Sequence, residues 1–210
     1  MKITVVTAGL STPSSTRLLA DRLAEATVDR LPGARVDVVE LRGLAHSLAD
    51  HLLTGFPTGE LATAIEQVGA ADALIVVTPV FSSSYSGLFK TFFDVLEPEL
   101  LAGKPVLLAA TAGTARHSLV TEFAMRPLFA YLKAVPVPTA VFAASEDFGG
   151  GGLGDLGARV ERAATELASM LLPGPGGAPA PVVVRRDRPA EQEFDDPTPF
   201  GDVLARLGQA

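Results

Sequence analysis

Between Ala8 and Arg17 the chain reads AGLSTPSSTR, with five hydroxyl side chains in six residues and then a guanidinium. Short hydroxyl donors at a helix start, beside N–H groups that have no intrahelical partner, suit an anion. Arg17, in the first predicted turn, adds a positive charge. An ordinary N-cap needs one such hydroxyl, whereas Ser11, Thr12, Ser14, Ser15 and Thr16 are all available. No G-x-G-x-x-G follows the first strand and no G-x-x-x-x-G-K-[ST] occurs, so a dinucleotide Rossmann site is disfavoured and a P-loop NTPase excluded. The segment suits a single phosphate group.

A second stretch, TPVFSSSYSGLFK (Thr78 to Lys90), follows the apolar run ALIVV. Pro79 keeps Thr78 out of helical geometry, so the strand cannot pass straight into a helix. Val80 and Phe81 form a short apolar wall, and the N–H groups of Ser82 to Ser84 offer donors at its edge. That pairing matches an isoalloxazine ring, apolar on its faces and rich in acceptors along one rim. The alternative is a loop that packs Phe81 into the core. A third stretch, TAGTARHS (Thr111 to Ser118), has Gly113 for close backbone approach and Arg116 with His117 at a helix start. It reads equally as a plain αβ turn capped by Thr114. His117 fits an exposed or hydrogen-bond-donor role better than that of an acid–base catalyst.

Five β-rich runs alternate with five helical periods. The strands are expected at Ile3–Thr7, Arg35–Glu40, Ala73–Thr78, Pro105–Thr111 and Val135–Phe142. The helices are expected at Ser15–Leu31, Glu60–Gly69, Gly87–Leu96, Arg116–Lys133 and Leu153–Leu172. Alternation of this kind implies βαβ units and a parallel sheet covered on both faces. The expected fold is α/β, three-layer and flavodoxin-like, with a five-stranded parallel sheet in the order 2-1-3-4-5. Pro136 and Pro138 suit an edge strand, in fifth place. In such a sheet ligands sit beyond the strands' carboxyl ends at the switch point, where the three stretches would converge. Residues 1–172 form the expected FMN-binding domain, 173–181 (PGPGGAPAP) a Pro/Gly linker, and 182–210 a tail that is disordered or packed on a neighbouring subunit.

Composition narrows the function classes. Net charge is −7, from 17 basic and 24 acidic residues, which argues against a general nucleic-acid binder. With no cysteine, disulfides and thiolate chemistry are excluded. His46 and His51 lie five apart, not the four of a zincin helix, and no metal site is expected. No apolar segment reaches a membrane span of about 18 residues, and MKITVVTAG reads as a buried strand, so a soluble cytoplasmic protein is expected.

TPVFSSSYSGLFKTFFDVL resembles the flavin-binding segment of NADPH-dependent FMN reductases, in which T-P-[VE]-Y-x-x-x-[YF]-[ST]-G-x-[LF]-K follows strand 3. AGLSTPSSTRLLA is similar to that family's phosphate loop, and TAGTARHSLVTEFAMRPLFAYL to its G-G-[ST]-x-x-H…L-R-P-L segment. The resemblance covers residues 1 to 172 and is nearest to the branch that supplies reduced flavin to luciferase-like monooxygenases. Two positions depart from the pattern: Phe81 stands for the tyrosine, and Ala112 for the first glycine.

The resemblance implies hydride transfer from NADPH to FMN. Ser11, Ser14, Ser15, Thr16 and Arg17 would hold the phosphate. Pro79, Val80, Phe81, Ser82 and Ser83 would line the ring, and Ala112, Gly113 and Thr114 would approach its other edge. Tyr85 and Ser86 are second-rank candidates. Arg116, by charge and position, is a candidate for the 2′-phosphate of NADPH. No acid–base residue is required. The rival readings are an NAD(P)H quinone or azo-dye reductase with bound FMN and a flavodoxin-type electron carrier. A phosphorelay receiver is excluded by Thr7-Ala8 and Thr78-Pro79, where it needs carboxylates. An oligomer is expected, because Leu88, Phe89, Phe92, Phe93 and Leu96 give one helix more apolar surface than a single sheet contact uses, and the resemblance implies a homodimer or homotetramer.

Overall fold

Leu74 and Val76 face one side of the third strand, while Ala73, Ile75 and Val77 face the other, and both sets are buried. A strand apolar on both faces needs cover on both. The computed structural model, which describes residues 1–97, 99–148 and 153–172, supplies it. In chain order its elements are β1 (Lys2–Thr7), α1 (Ser15–Arg30), β2 (Arg35–Glu40), α2 (Ala45–Thr54), α3 (Gly59–Gly69), β3 (Ala73–Phe81) and β4 (Ser84–Tyr85). They continue with α4 (Gly87–Asp94), β5 (Pro105–Ala112), α5 (Arg126–Tyr131), β6 (Val135–Pro136), β7 (Val141–Ala144) and α6 (Leu153–Leu171). Leu19 and Leu23 of α1 and Ala164 and Leu167 of α6 pack on Ile3, Val5 and Ile75 on one face. Leu48 of α2, Leu61 of α3, Phe92 of α4 and Phe129 of α5 pack with Val6, Val76 and Leu108 on the other. The result is a three-layer, flavodoxin-like α/β fold.

The sheet departs from the expected five strands in the order 2-1-3-4-5. It has seven strands, in the order β2-β1-β3-β5-β6, with β7 also paired to β5 and β4 paired to β3. One extra strand is β4, which turns back antiparallel on the end of β3. The other comes from the expected strand Val135–Phe142, which is broken in two. Pro105 pairs with Val135, an offset of 30, whereas Ala109 pairs with Val141, an offset of 32, so two residues bulge out between β6 and β7.

Proline is the cause. Pro136 and Pro138 cannot donate to the ladder, and side chains serve the bulged backbone instead. Arg126 donates to the carbonyls of Val137 and Pro138, both at 3.1 Å. Glu166 accepts from the N–H and hydroxyl of Thr139 at 2.7 and 2.8 Å.

Other boundaries also moved. The single helix expected over Arg116–Lys133 is a 3₁₀ turn at Ala115–His117, a π-type turn at Thr121–Met125 and then α5. Pro127, which has no N–H to give the preceding turn, lies at the junction. Helix α2 was not expected. In α4 the aromatic surplus is covered within the chain. Phe89, Phe92 and Phe93 are buried, with Phe93 at 4.7 Å from Phe89 and 4.8 Å from Phe129 between ring centroids. Among the described residues no helix is long and apolar enough to cross a membrane. The linker and tail expected at 173–210 lie outside the described residues.

Candidate functional site

Because β1, β3 and β5 are parallel neighbours, their carboxyl ends lie side by side. The Ala8 N–H donates to the Val77 carbonyl at 2.9 Å, carrying the β1–β3 pairing one residue past β1. Pro79 lies opposite Thr111 on β5. The Thr16 and Thr111 hydroxyls are 2.8 Å apart and buried, tying the first loop to β5. The three sequence stretches therefore meet at one end of the sheet.

The first loop walls a cleft of about 310 Å³, lined among others by Thr7, Gly9, Ser11, Ser14, Arg17 and Arg42. Ser14 is the N-cap of α1, accepting from the Arg17 N–H at 3.2 Å. A Cβ on Gly9 would fall 2.2 Å from Ser14 Oγ, so glycine is what lets the loop fold back onto the helix start. Ser11 and Ser15 are exposed. Thr16 is turned inward to Thr111. Arg17 is engaged by two carboxylates: its Nε donates to Asp21 at 2.7 Å, and its Nη1 to Glu40. Thr7 is 2% exposed, and its hydroxyl has no hydrogen-bond partner among the described residues. A buried hydroxyl left unpaired costs about 1–3 kcal/mol. One set in the wall of a hydroxyl-lined cleft, at the start of a 16-residue helix, fits a phosphate oxygen as its partner.

The second stretch is a tight hairpin. Val80 pairs with Tyr85 and Phe81 with Ser84, leaving Ser82 and Ser83 as a two-residue turn with φ of 49° and 66°. Such turns need left-handed backbone at both positions and are usually made by Asn or Gly. Serine there costs about 1–2 kcal/mol per residue. The hairpin is anchored at its base, where the buried Thr78 hydroxyl accepts the Ser86 N–H at 3.0 Å, and Ser86 in turn caps α4 through the Phe89 N–H. Ser86 is thus a structural cap, and Tyr85 packs at 5.9 Å from Phe89. Phe81 is 48% exposed rather than in the core, with Pro79 and Val80 half-buried beside it and Ser82 and Ser83 exposed at the tip.

Beyond β5, Ala112 is half-buried and pairs with Ala144. A Cβ on Gly113 would meet no atom within 4 Å, so the space beside it is open. Thr114 precedes the 3₁₀ turn but makes no side-chain cap bond. Arg116 is exposed, with no hydrogen-bond or ion-pair partner among the described residues, and His117 is half-exposed. None of these residues, nor the hairpin, contributes a wall to the first-loop cleft. They stand at the ends of the neighbouring strands.

Sequence reasoning passed over Thr7, Gly9 and Arg42. Gly9 had a signal, a glycine directly after the first strand. Arg42 had one too, since β2 lies beside β1 in the expected order and Arg42 follows the end of β2 by two residues.

Fold and site together define a flavodoxin-like α/β protein with a hydroxyl-lined cleft at the switch point of its sheet. Residues 1–149 match the family model described as NADPH-dependent FMN reductase, and the chain belongs to that family. Among its relatives, an FMN reductase (NADPH) of Pseudomonas aeruginosa is 38% identical over 149 residues, 70% of this chain and 78% of the relative. The NADH-dependent FMN reductase SfnF of Pseudomonas putida is 36% identical over 148 residues, 70% of this chain and 80% of the relative. Among solved structures, an oxidoreductase from Corynebacterium diphtheriae superposes with a TM-score of 0.78 at 48% identity, covering 81% of this chain and 96% of that one. An NADH:FMN oxidoreductase in apo form gives 0.73 at 27% identity, covering 84% and 92%.

Proposed function

We propose that this protein reduces FMN with NAD(P)H, holding the phosphate in the first-loop cleft and the ring against the β3–β4 hairpin. The observation that carries the placement is the unpaired Thr7 hydroxyl in the wall of that cleft. When bound, FMN supplies the hydride acceptor and NAD(P)H the hydride, so the chain's own work is binding, distance and exclusion of water. Ser11, Ser14 and Ser15, with the free N–H groups of α1, receive the phosphate. Thr16 holds their loop to β5, and Arg17 stands at the rim. Pro79, Val80 and Phe81 present the apolar wall, and the N–H groups of Ser82 and Ser83 face the polar rim of the ring. Ala112, Gly113 and Thr114 close its other edge. Arg116, exposed and unpaired among the described residues, takes the 2′-phosphate of NADPH. No side chain is assigned an acid–base role.

The reduced flavin passes to a flavin-dependent monooxygenase in the cytoplasm. The protein works as a homodimer or homotetramer. Leu119, Phe123 and Tyr131, all largely exposed, support that assembly in place of the covered α4 face. Sedimentation velocity tests it, and a monomer at micromolar concentration would refute it.

The reaction is tested by following NADPH and NADH oxidation with FMN, FAD, riboflavin and a quinone as acceptors. Turnover with FMN is expected. Negligible oxidation with every flavin would reject the reading, and turnover with the quinone alone would make the protein a quinone reductase.

A further inference from the structure

The first-loop cleft contains two arginines and two carboxylates, and the four do not share their charges evenly. Arg17 is held by Asp21 on one side of its guanidinium and by Glu40 on another. That trio carries a net negative charge, and Arg17 can reach an anion only by leaving a carboxylate. Arg42 forms no ion pair among the described residues. Its one hydrogen bond among those residues runs from Nη1 to the Thr12 hydroxyl at 2.5 Å, which sets the guanidinium against the first loop with most of its donors unused there.

Its position follows from the sheet. β1 and β2 pair in parallel with Thr7 opposite Glu40, so Arg42, two residues beyond Glu40, lies beside the loop that begins two residues beyond Thr7. The second mark of a ligand here is the buried, unpaired Thr7 hydroxyl in the same cleft.

We infer that Arg42, supplied from the end of β2, is the cation that binds the flavin's phosphate and so selects FMN over riboflavin. A planar guanidinium suits two phosphate oxygens at once. Arg17, the arginine that the family-like loop itself provides, instead braces the cleft by bridging α1 to the end of β2. The inference rests on the placement of the phosphate proposed above.

Titration of FMN and of riboflavin, followed by flavin fluorescence, against wild type, Arg42→Ala, Arg42→Lys and Arg17→Ala tests both levels separately. Wild type is expected to prefer FMN. Arg42→Ala should raise the Kd for FMN about tenfold or more, with the Kd for riboflavin changed less than about twofold, and Arg42→Lys should recover part of the loss. Arg17→Ala, which removes the brace between Asp21 and Glu40, should weaken FMN binding less than Arg42→Ala does, and a larger loss would make Arg17 the phosphate's cation. If Arg42→Ala leaves FMN affinity within twofold, or weakens both flavins equally, the assignment is overturned without touching the placement of the phosphate. If wild type binds the two flavins equally, the phosphate does not lie in the cleft, and the underlying placement fails with it. Arg42 is exposed, so circular dichroism and the melting temperature of its variants should match wild type.

Discussion

Replacing Thr7 by valine should make the flavin-free protein more stable and the flavin-bound protein no better than wild type. The Thr7 hydroxyl is buried and unpaired, so the native state carries its desolvation cost, about 1–3 kcal/mol. Valine keeps the shape, substitutes a methyl for the hydroxyl, and suits a strand end. Taking the low end, about 1 kcal/mol, the melting temperature should rise by about 2–4 °C. If the hydroxyl pairs with the FMN phosphate, its loss should also weaken binding about tenfold, equivalent to about 1.4 kcal/mol.

Ligand linkage joins the two effects. At an FMN concentration about 100 times the wild-type Kd, wild type gains about 2.7 kcal/mol, while a tenfold weaker variant gains about 1.4 kcal/mol. The variant's initial lead should therefore disappear or reverse. Differential scanning fluorimetry without and with FMN reads both halves. A variant less stable without flavin would mean that the hydroxyl already has a partner. A lead of the same size with and without FMN would mean that the phosphate lies elsewhere.

Phe81→Ala removes the half-exposed wall of the hairpin. By analogy with stacking on nucleobases it should weaken FMN and riboflavin alike, by about 1–3 kcal/mol; unchanged affinities in a fluorescence titration would place the ring elsewhere. Ser83→Gly relieves a left-handed serine at φ 66° and should stabilise the protein by about 1 kcal/mol in urea denaturation, with a destabilised variant contradicting the strain. Glu122 accepts from Arg126, and that hydrogen bond holds its carboxyl below the usual range. A carboxyl lowered on folding contributes stability that is present above its unfolded pKa and is lost as pH falls through the folded one. The pair is partly exposed, and solvent screening limits the contribution to at most about 1 kcal/mol. Between about pH 5 and 3, Glu122→Gln should lose melting temperature less steeply than wild type, and parallel slopes would refute it.

What could be read in the sequence was whatever depended on burial. ALIVV and PVLLAAT are apolar at every position, so they had to become strands covered on both faces, and the alternating helices then fixed the three-layer fold. The order of the parallel strands failed only where local backbone chemistry intervened. Pro136 and Pro138 do mark the sheet edge, but a ladder that loses two donors so close together also breaks, and Arg126 and Glu166 make the break tolerable.

The hairpin at Ser82 and Ser83 was hidden for the opposite reason. Its residues are the wrong ones for a tight turn, and only tertiary anchoring through Thr78 and Ser86 holds them there. Within the cleft, residue type indicated an anion site but not which groups are free. Thr16 looked like a donor and is bonded to Thr111, while Arg17 looked like the cation and is held by Asp21 and Glu40. Arg42 comes from a different strand, and pattern within one loop could not reveal it.

The most direct measurement is a crystal structure of the protein grown or soaked with FMN. The phosphate should lie within hydrogen-bond distance of Ser11, Ser14 or Ser15 and the Thr7 hydroxyl, with the isoalloxazine ring against Phe81. FMN bound anywhere else, or a cleft that stays empty at saturating flavin, would contradict the account.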